Sequence, residues 1–396
     1  MEKSQRQICW KEMVKASGAA RRFLIFCAGL VILELVLSQV LPHLLSETRY
    51  LAAYLPWQSL HQTRRFLNNE LDVVPDPACG WRNKRNATWL GIHYDAFGSR
   101  SYGGISQDMP RKRRVIFLGD SRVNGYTYVN NSQTINACLE DDSVETLNMA
   151  TPFYGPDQMY IAMGETLRNF TSDVVVIGLG SGSEQLLDCH YIPFLGRQEY
   201  GVPFLKPCYT LRDGQLVLQA PDIQALLRPV PDAPALLRYL STHDNHYERF
   251  KAFQSWECTP FLAAFSCARA AGMRMGKKFA GWQRTETLKN GELMRALVRA
   301  IEALGKAHNA EVVFLLFPSL AEFQEDTHPV YDRTAMLLRQ ETATFLDIRV
   351  IFKKYRGNEP LFADDRHITC TANRLIAGTL KHIVSDADRE GPVIGR

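Results

Sequence analysis

Cysteine is scarce, with nine in 396 residues. That is too few for a small scaffold stapled by disulfides. Net charge is nearly absent as well: 46 Lys and Arg stand against 42 Asp and Glu. Six of the basic groups (Lys3, Arg6, Lys11, Lys15, Arg21 and Arg22) crowd into residues 1–22, against only Glu2 and Glu12. Beyond residue 45 the chain holds 40 basic and 39 acidic groups. So neutral a body lacks the basic face that a phosphate-backbone binder needs, and nucleic acid is not an expected partner. No internal repeat stands out, which argues against a solenoid. No Cys or His spacing matches a zinc pattern, so neither a metal nor a cofactor is expected.

The chain has one long apolar run, residues 23–45, reading FLIFCAGLVILELVLSQVLPHLL. At about 1.5 Å per residue it is long enough to cross a hydrocarbon core of roughly 30 Å. Glu34 in its middle costs a few kcal/mol on insertion scales, and the surrounding Leu, Ile, Val and Phe outweigh it. The basic lead of residues 1–22 orients such an anchor with its N-terminus in the cytoplasm and everything after residue 45 outside. A cleaved signal peptide and a buried soluble helix remain open alternatives. Seven cysteines follow the run, and outside a membrane they could oxidise. The local pairings Cys189–Cys208 and Cys258–Cys267 are the ones to test. Sequons at Asn86, Asn130 and Asn169 carry meaning only in a eukaryotic secretory pathway.

Residues 46–110 are rich in Tyr, Trp, Pro, Gly and Asn with little periodicity, and read as a lead-in packing on the main domain. That domain, residues 111–386, opens with RRVIFLGDSRVNG. Val115 to Leu118 is a short apolar run ended by Gly119, which predicts a buried strand feeding a turn. Further strands are expected at 145–149, 173–180, 311–318 and 344–348. The third run, DVVVIGLG, is β-branched and apolar throughout, as in a parallel sheet covered on both faces. Helical patterns lie between the strands at 158–169, 288–308 and 331–342, and a last one at 371–386 closes the domain. This alternation predicts a parallel α/β sheet with right-handed crossovers. Residues 186–285 interrupt the rhythm as an insertion. It contains a hairpin turning at Asp213-Gly214, then Pro-rich text and apolar helical stretches to about 280.

Two short patterns could carry chemistry. Gly119-Asp120-Ser121 sits where the first strand ends, so the serine hydroxyl is exposed beside a helix N-terminus. That suits a nucleophile whose own N–H helps hold an oxyanion. An Asp/Ser helix cap is the simpler structural role. Near the C-terminus, Asp364 and His367 lie three apart, just before the last helix. The spacing lets the carboxylate orient the imidazole while the imidazole faces the serine. Asp365 is the nearby competitor, and it lacks the i, i+3 spacing.

In chain order these residues resemble the SGNH (GDSL-type) hydrolase superfamily. Its first block matches Gly119, Asp120 and Ser121, and its last block, Asp-x-x-His, matches Asp364 and His367. The second block, usually Asn-x-x-x-x-Gly, appears as NMATPFYG from Asn148, with Phe153 at the glycine position and Gly155 two later. The third, usually Gly-Asn-Asp, appears as Gly182-Ser183-Glu184, with Ser183 where Asn is expected. Residues 76–102 and 206–218 also look like parts of membrane-anchored, exported members.

The resemblance implies a three-layer α/β/α fold with a flavodoxin-like parallel sheet. It further implies a Ser121–His367–Asp364 triad, with an oxyanion hole from the amides of Ser121 and of Phe153 or Gly155 and the hydroxyl of Ser183. The implied activity is that of an esterase or O-acyltransferase acting on ester, notably O-acetyl, groups of an envelope or secreted polysaccharide. The domain would face the periplasm from an inner-membrane anchor. Trp81, Trp89 and Tyr154 are candidate sugar-stacking surfaces, with core packing as the alternative for each. Hydrolysis of lipid esters is a further alternative. So is a binding or assembly module that kept the fold and lost activity.

Overall fold

The computed structural model describes residues 23, 25–33, 71–100, 112–187, 189–191, 205–222, 238–239, 241–244 and 289–386. Two small antiparallel hairpins come first: β1 (Val73–Asp76) with β2 (Gly80–Asn83), and β3 (Ala87–Trp89) with β4 (Ile92–Tyr94). They lie in the lead-in, where strands of three or four residues are too short to show an alternating pattern.

The main sheet follows. Its strands are β5 (Arg113–Gly119), β6 (Val144–Asn148), β7 (Val174–Gly180), β10 (Glu311–Phe317) and β11 (Thr344–Asp347). The hairpin β8 (Cys208–Arg212) and β9 (Gln215–Gln219) stands apart from it. Its turn residues Asp213 and Gly214 both have positive φ, 51° and 77°, as a tight two-residue turn requires. The five sheet strands lie in the order β6-β5-β7-β10-β11, all neighbours parallel. With β5 counted first, this is the flavodoxin-like order.

Alternate side chains of each strand face two separate cores. Ile116, Leu118, Val175, Ile177, Phe314 and Leu316 point to one face. There they meet α3 (Pro156–Asn169), α4 (Lys289–Ala307) and α6 (Pro329–Glu341) through Met159, Met163, Leu297, Ile301 and Leu338. Val115, Phe117, Val174, Val176, Val313 and Leu315 point to the other. That face is covered by α2 (Ile135–Leu139), α7 (Ile348–Lys354) and α8 (Cys370–Asp386). In α8 the residues Ala372, Ile376, Leu380 and Val384 recur every fourth position, one face of a helix. The sheet is parallel, as the strand–helix alternation predicts, and three layers result, as the resemblance implies.

The lead-in is tied to the main domain by buried polar contacts. Trp81 is fully buried, and its Nε1 donates to the carbonyl of Pro152 at 2.9 Å. Tyr154, also buried, returns a hydrogen bond from its hydroxyl to the Trp81 carbonyl at 2.6 Å. Both rings are therefore core anchors, which corrects the sugar-stacking alternative for these two. The side chain of Asn83 donates to the carbonyls of Gly98 and Ala150. The amide of Arg100 donates to Asn148 at the end of β6.

Of the apolar run 23–45, residue 23 and residues 25–33 are described, and they are helical. Among the described residues no helix is long and apolar enough to cross a membrane. Cys189 and Cys208 are both free thiols: Cys208 donates to the Cys189 carbonyl and Cys189 to the Tyr191 carbonyl. Cys258 and Cys267 lie outside the described residues, as do most of the helical stretches expected in the insertion.

Candidate active site

The helix α2, between β5 and β6, and the helix α4, between β7 and β10, lie on opposite faces of the sheet. Such a switch point leaves a crevice beyond the carboxyl ends of the strands. β5 delivers Ser121 there. Asp120 caps the short helix α1 (Ser121–Asn124), its side chain accepting from the amide of Arg122 at 2.9 Å, and Gly125 closes it at φ 83°. The serine is thus the first helical residue, where an amide has no partner within its own helix.

From the far end of the chain, the segment before α8 brings in His367. Its Nε2 lies 2.9 Å from the Ser121 hydroxyl. Its Nδ1 lies 2.9 Å and 3.0 Å from the two carboxylate oxygens of Asp364. A carboxylate only accepts, so Nδ1 carries the proton and Nε2 is left to accept from Ser121. Asp364 is fixed in turn by the amides of Arg366 and His367, both donating to Oδ1. Partial burial pushes its pKa up. Hydrogen bonds from Tyr128, those two amides and the imidazole outweigh burial and hold the carboxyl well below the usual range. Asp365 has a different task, since its carbonyl accepts from the amide of Leu320 and so ties this segment to the short helix α5 (Leu320–Gln324) after β10.

The remaining residues of the expected oxyanion hole are arranged differently. Ser183 is buried, and its hydroxyl donates to the carbonyl of Gly180 at 2.7 Å while accepting from the Gly180 amide at 3.1 Å. Its only proton closes a local turn after β7, so as placed it offers none to a substrate. The amide of Gly155 donates to the side chain of Gln158 and caps α3. It too is occupied locally, a second departure from the expectation. Phe153 has a left-handed backbone at φ 66°, the conformation a glycine would adopt without strain.

Three contributors went unforeseen. The guanidinium of Arg122 pairs with Asp120 at 2.5 Å and lies over Gly180, where any side chain would overlap it. Tyr128 stacks on His367, ring centroids 4.2 Å apart and planes 16° from parallel. Arg100, buried in the lead-in, donates to the carbonyls of Asn124, Tyr126 and Val129 and so shapes the loop after α1. Burial pushes its pKa down to about 10, which still leaves it charged at neutral pH. No periodicity or motif marks these residues, because the contacts of Arg122 with Gly180, of Tyr128 with His367 and of Arg100 with the loop after α1 join segments separated in the chain.

A serine hydrogen-bonded to an imidazole that is held by a carboxylate has the geometry of a serine hydrolase site. No protein-family model and no curated protein matches the chain. Solved structures of similar shape include a lipolytic protein of the G-D-S-L family from Veillonella parvula, 12% identical, covering 70% of this chain and 99% of that one, TM-score 0.33. A GDSL-like lipase from Bacteroides thetaiotaomicron is 11% identical, covering 72% and 93%, TM-score 0.37. A carbohydrate esterase family 2 enzyme with a carbohydrate-binding domain, from Corynascus thermopiles, is 12% identical, covering 72% and 68%, TM-score 0.33.

Proposed function

We propose that the protein is a serine esterase or O-acyltransferase whose nucleophile is Ser121. The observation that carries this reading is the hydrogen-bonded chain from Ser121 through His367 to Asp364. His367 takes the hydroxyl proton at Nε2 as the serine oxygen attacks an ester carbonyl. Asp364 holds the tautomer and stabilises the imidazolium that forms. The Ser121 amide, at the start of α1, and the Phe153 amide hold the oxyanion. His367 then returns the proton to the leaving alcohol. The acyl group passes from Ser121 to water in an esterase, or to a sugar hydroxyl in a transferase.

The substrate in this reading is an acylated, chiefly O-acetylated, glycan of the envelope or a secreted polysaccharide. Aromatic surface suited to a sugar leads away from the imidazole: Tyr128 stacks on His367, and the half-buried Trp89 is linked to it through Tyr126. The protein is placed at the inner membrane, N-terminus in the cytoplasm and main domain in the periplasm. This is supported by the basic lead and by the helical residues 25–33, where Ile25, Phe26, Val31, Ile32 and Leu33 are each more than half exposed.

A binding module is the second reading, favoured by the local engagement of Ser183 and Gly155. One measurement separates the two. Full-length protein, Ser121→Ala and His367→Ala are treated with a fluorophosphonate probe. Labelling of the wild type that disappears in both variants is expected. Folded wild type that takes no label would instead select the binding module.

A further inference from the structure

Tyr128 is more than a third exposed. Burial of the ring therefore contributes little to holding it in place, yet it is held. The loop that carries it is fastened from two sides. Arg100 gives up water to serve three of its carbonyls and also donates from Nε to Asn131. A buried guanidinium is costly unless its donors are used, and here they converge on one loop. On the other side Asn373 of α8 donates to the carbonyl of Gln133. The loop accepts strain in this placement, with Tyr126 at φ 36°.

The result is a phenol lying flat on the imidazole of His367, ring centroids 4.2 Å apart, and its hydroxyl is among the groups that hold the Asp364 carboxyl well below the usual range. One side chain thus acts on both partners of the couple that faces Ser121. Asp364 itself is over a third exposed. The amides of Arg366 and His367 hold only its Oδ1, so water competes with the imidazole for Oδ2 unless a further group covers it.

We infer that Tyr128 is a positioning residue: its ring fixes the plane of the His367 imidazole, and its hydroxyl fixes the Asp364 carboxylate. Arg100 acts one step further back, by placing the loop. The inference rests on the esterase or acyltransferase reading for its effect on rate, and on contacts alone for its effect on the His–Asp couple.

The test uses full-length wild type, Tyr128→Phe and Tyr128→Ala with two readouts. The first is the rate of fluorophosphonate labelling, resolved into maximal rate and half-saturating probe concentration. The second is the low-field proton resonance of Nδ1–H between His367 and Asp364, assigned by its absence in His367→Ala. Tyr128→Phe keeps the stack and loses the hydroxyl, and is expected to label about tenfold more slowly. Tyr128→Ala loses both, and is expected to label roughly fiftyfold more slowly. Both losses fall on the maximal rate, and the low-field signal weakens in Phe and broadens away in Ala.

A Tyr128→Ala protein that labels within about threefold of wild type with its low-field proton intact overturns the inference. Should the Ala variant fail to fold, Tyr128→Phe decides: full rate and an unchanged resonance overturn the hydroxyl's role. A wild type that takes no label but shows a low-field proton dependent on Tyr128 upholds the positioning role and removes the enzymatic reading. A folded wild type with neither signal removes both.

Discussion

Lys206 and Asp157 form an ion pair with no solvent contact on either side chain. Lys206 belongs to the inserted region and Asp157 to the first turn of α3, two residues beyond Gly155. The ammonium also donates to the carbonyl of Pro207 and to the sulfur of Cys208. Burial disfavours the charge on Lys206, and the facing carboxylate more than restores it, lifting its pKa above the usual lysine value. The pair clamps the insertion to the loop that carries Phe153. Lys206→Met leaves a buried carboxylate without its counter-ion and is expected to cost about 3–5 kcal/mol in urea denaturation. The double variant Lys206→Met, Asp157→Leu is expected to recover most of that loss. A double-variant loss equal to the sum of the losses in Lys206→Met and Asp157→Leu alone would show that the pair is not coupled.

Asp72 sits buried just before β1, with Oδ2 lacking a partner among the described residues. Burial raises its pKa to about 6, against hydrogen bonds from the backbone that lower it. The folded state therefore holds a proton that the unfolded state has already lost between about pH 4 and 6. In that window the contribution of Asp72 to stability falls as pH rises, and above it the full penalty applies. Asp72→Asn removes the titration. It is expected to stabilise the protein by roughly 1–3 kcal/mol at pH 7 and by nothing below about pH 4. Chemical denaturation at the two pH values checks this; a gain that does not depend on pH would rule the titration out as its source.

Ser183 offers a test of how the oxyanion is held. Losing a true oxyanion donor costs about 10²–10³ in rate. With its proton committed to Gly180, Ser183→Ala is expected to slow fluorophosphonate labelling by less than about tenfold. Its larger effect falls on stability, about 1–2 kcal/mol, through the broken turn after β7. A hundredfold slower label on a stably folded variant would mean that the hydroxyl turns toward Ser121 when a substrate binds.

Phe153 contributes its amide to the proposed chemistry and strain to the fold. Phe153→Gly keeps the amide and removes about 1 kcal/mol of left-handed strain, while losing a half-buried ring of comparable worth. Labelling within about threefold of wild type and a near-neutral change in midpoint are expected. A large fall in rate at unchanged stability would assign the ring itself a role in the pocket.

The parallel sheet was legible because its three central strands carry unbroken apolar runs, VIFL in β5, VVVIGLG in β7 and VVFLLF in β10, while the edge strands β6 (VETLN) and β11 (TFLD) are more polar. Ser121, Asp364 and His367 were legible because their spacing is tied to the ends of elements. What escaped was set by packing between distant segments. Trp81 and Tyr154 sit in text without periodicity, so nothing distinguished a core aromatic from a surface one. Ser183 was read by its alignment with an Asn, but a serine side chain is shorter and closes onto its own turn. Tyr128 and Arg100 act through contacts that only the folded chain creates.

Ser121 and His367 stand 246 positions apart in the chain. At about 5–20 residues per second of synthesis, the serine emerges on the order of 12–50 s before the histidine that would activate it. During that time α8 has not been made, and the sheet face it shares with α2 and α7 is only partly covered. In the proposed reading, a nascent chain therefore carries an unarmed serine past every ester it meets. Reactivity, in that reading, arrives only when the last helix docks, so completion of the fold itself sets the moment at which the site becomes live.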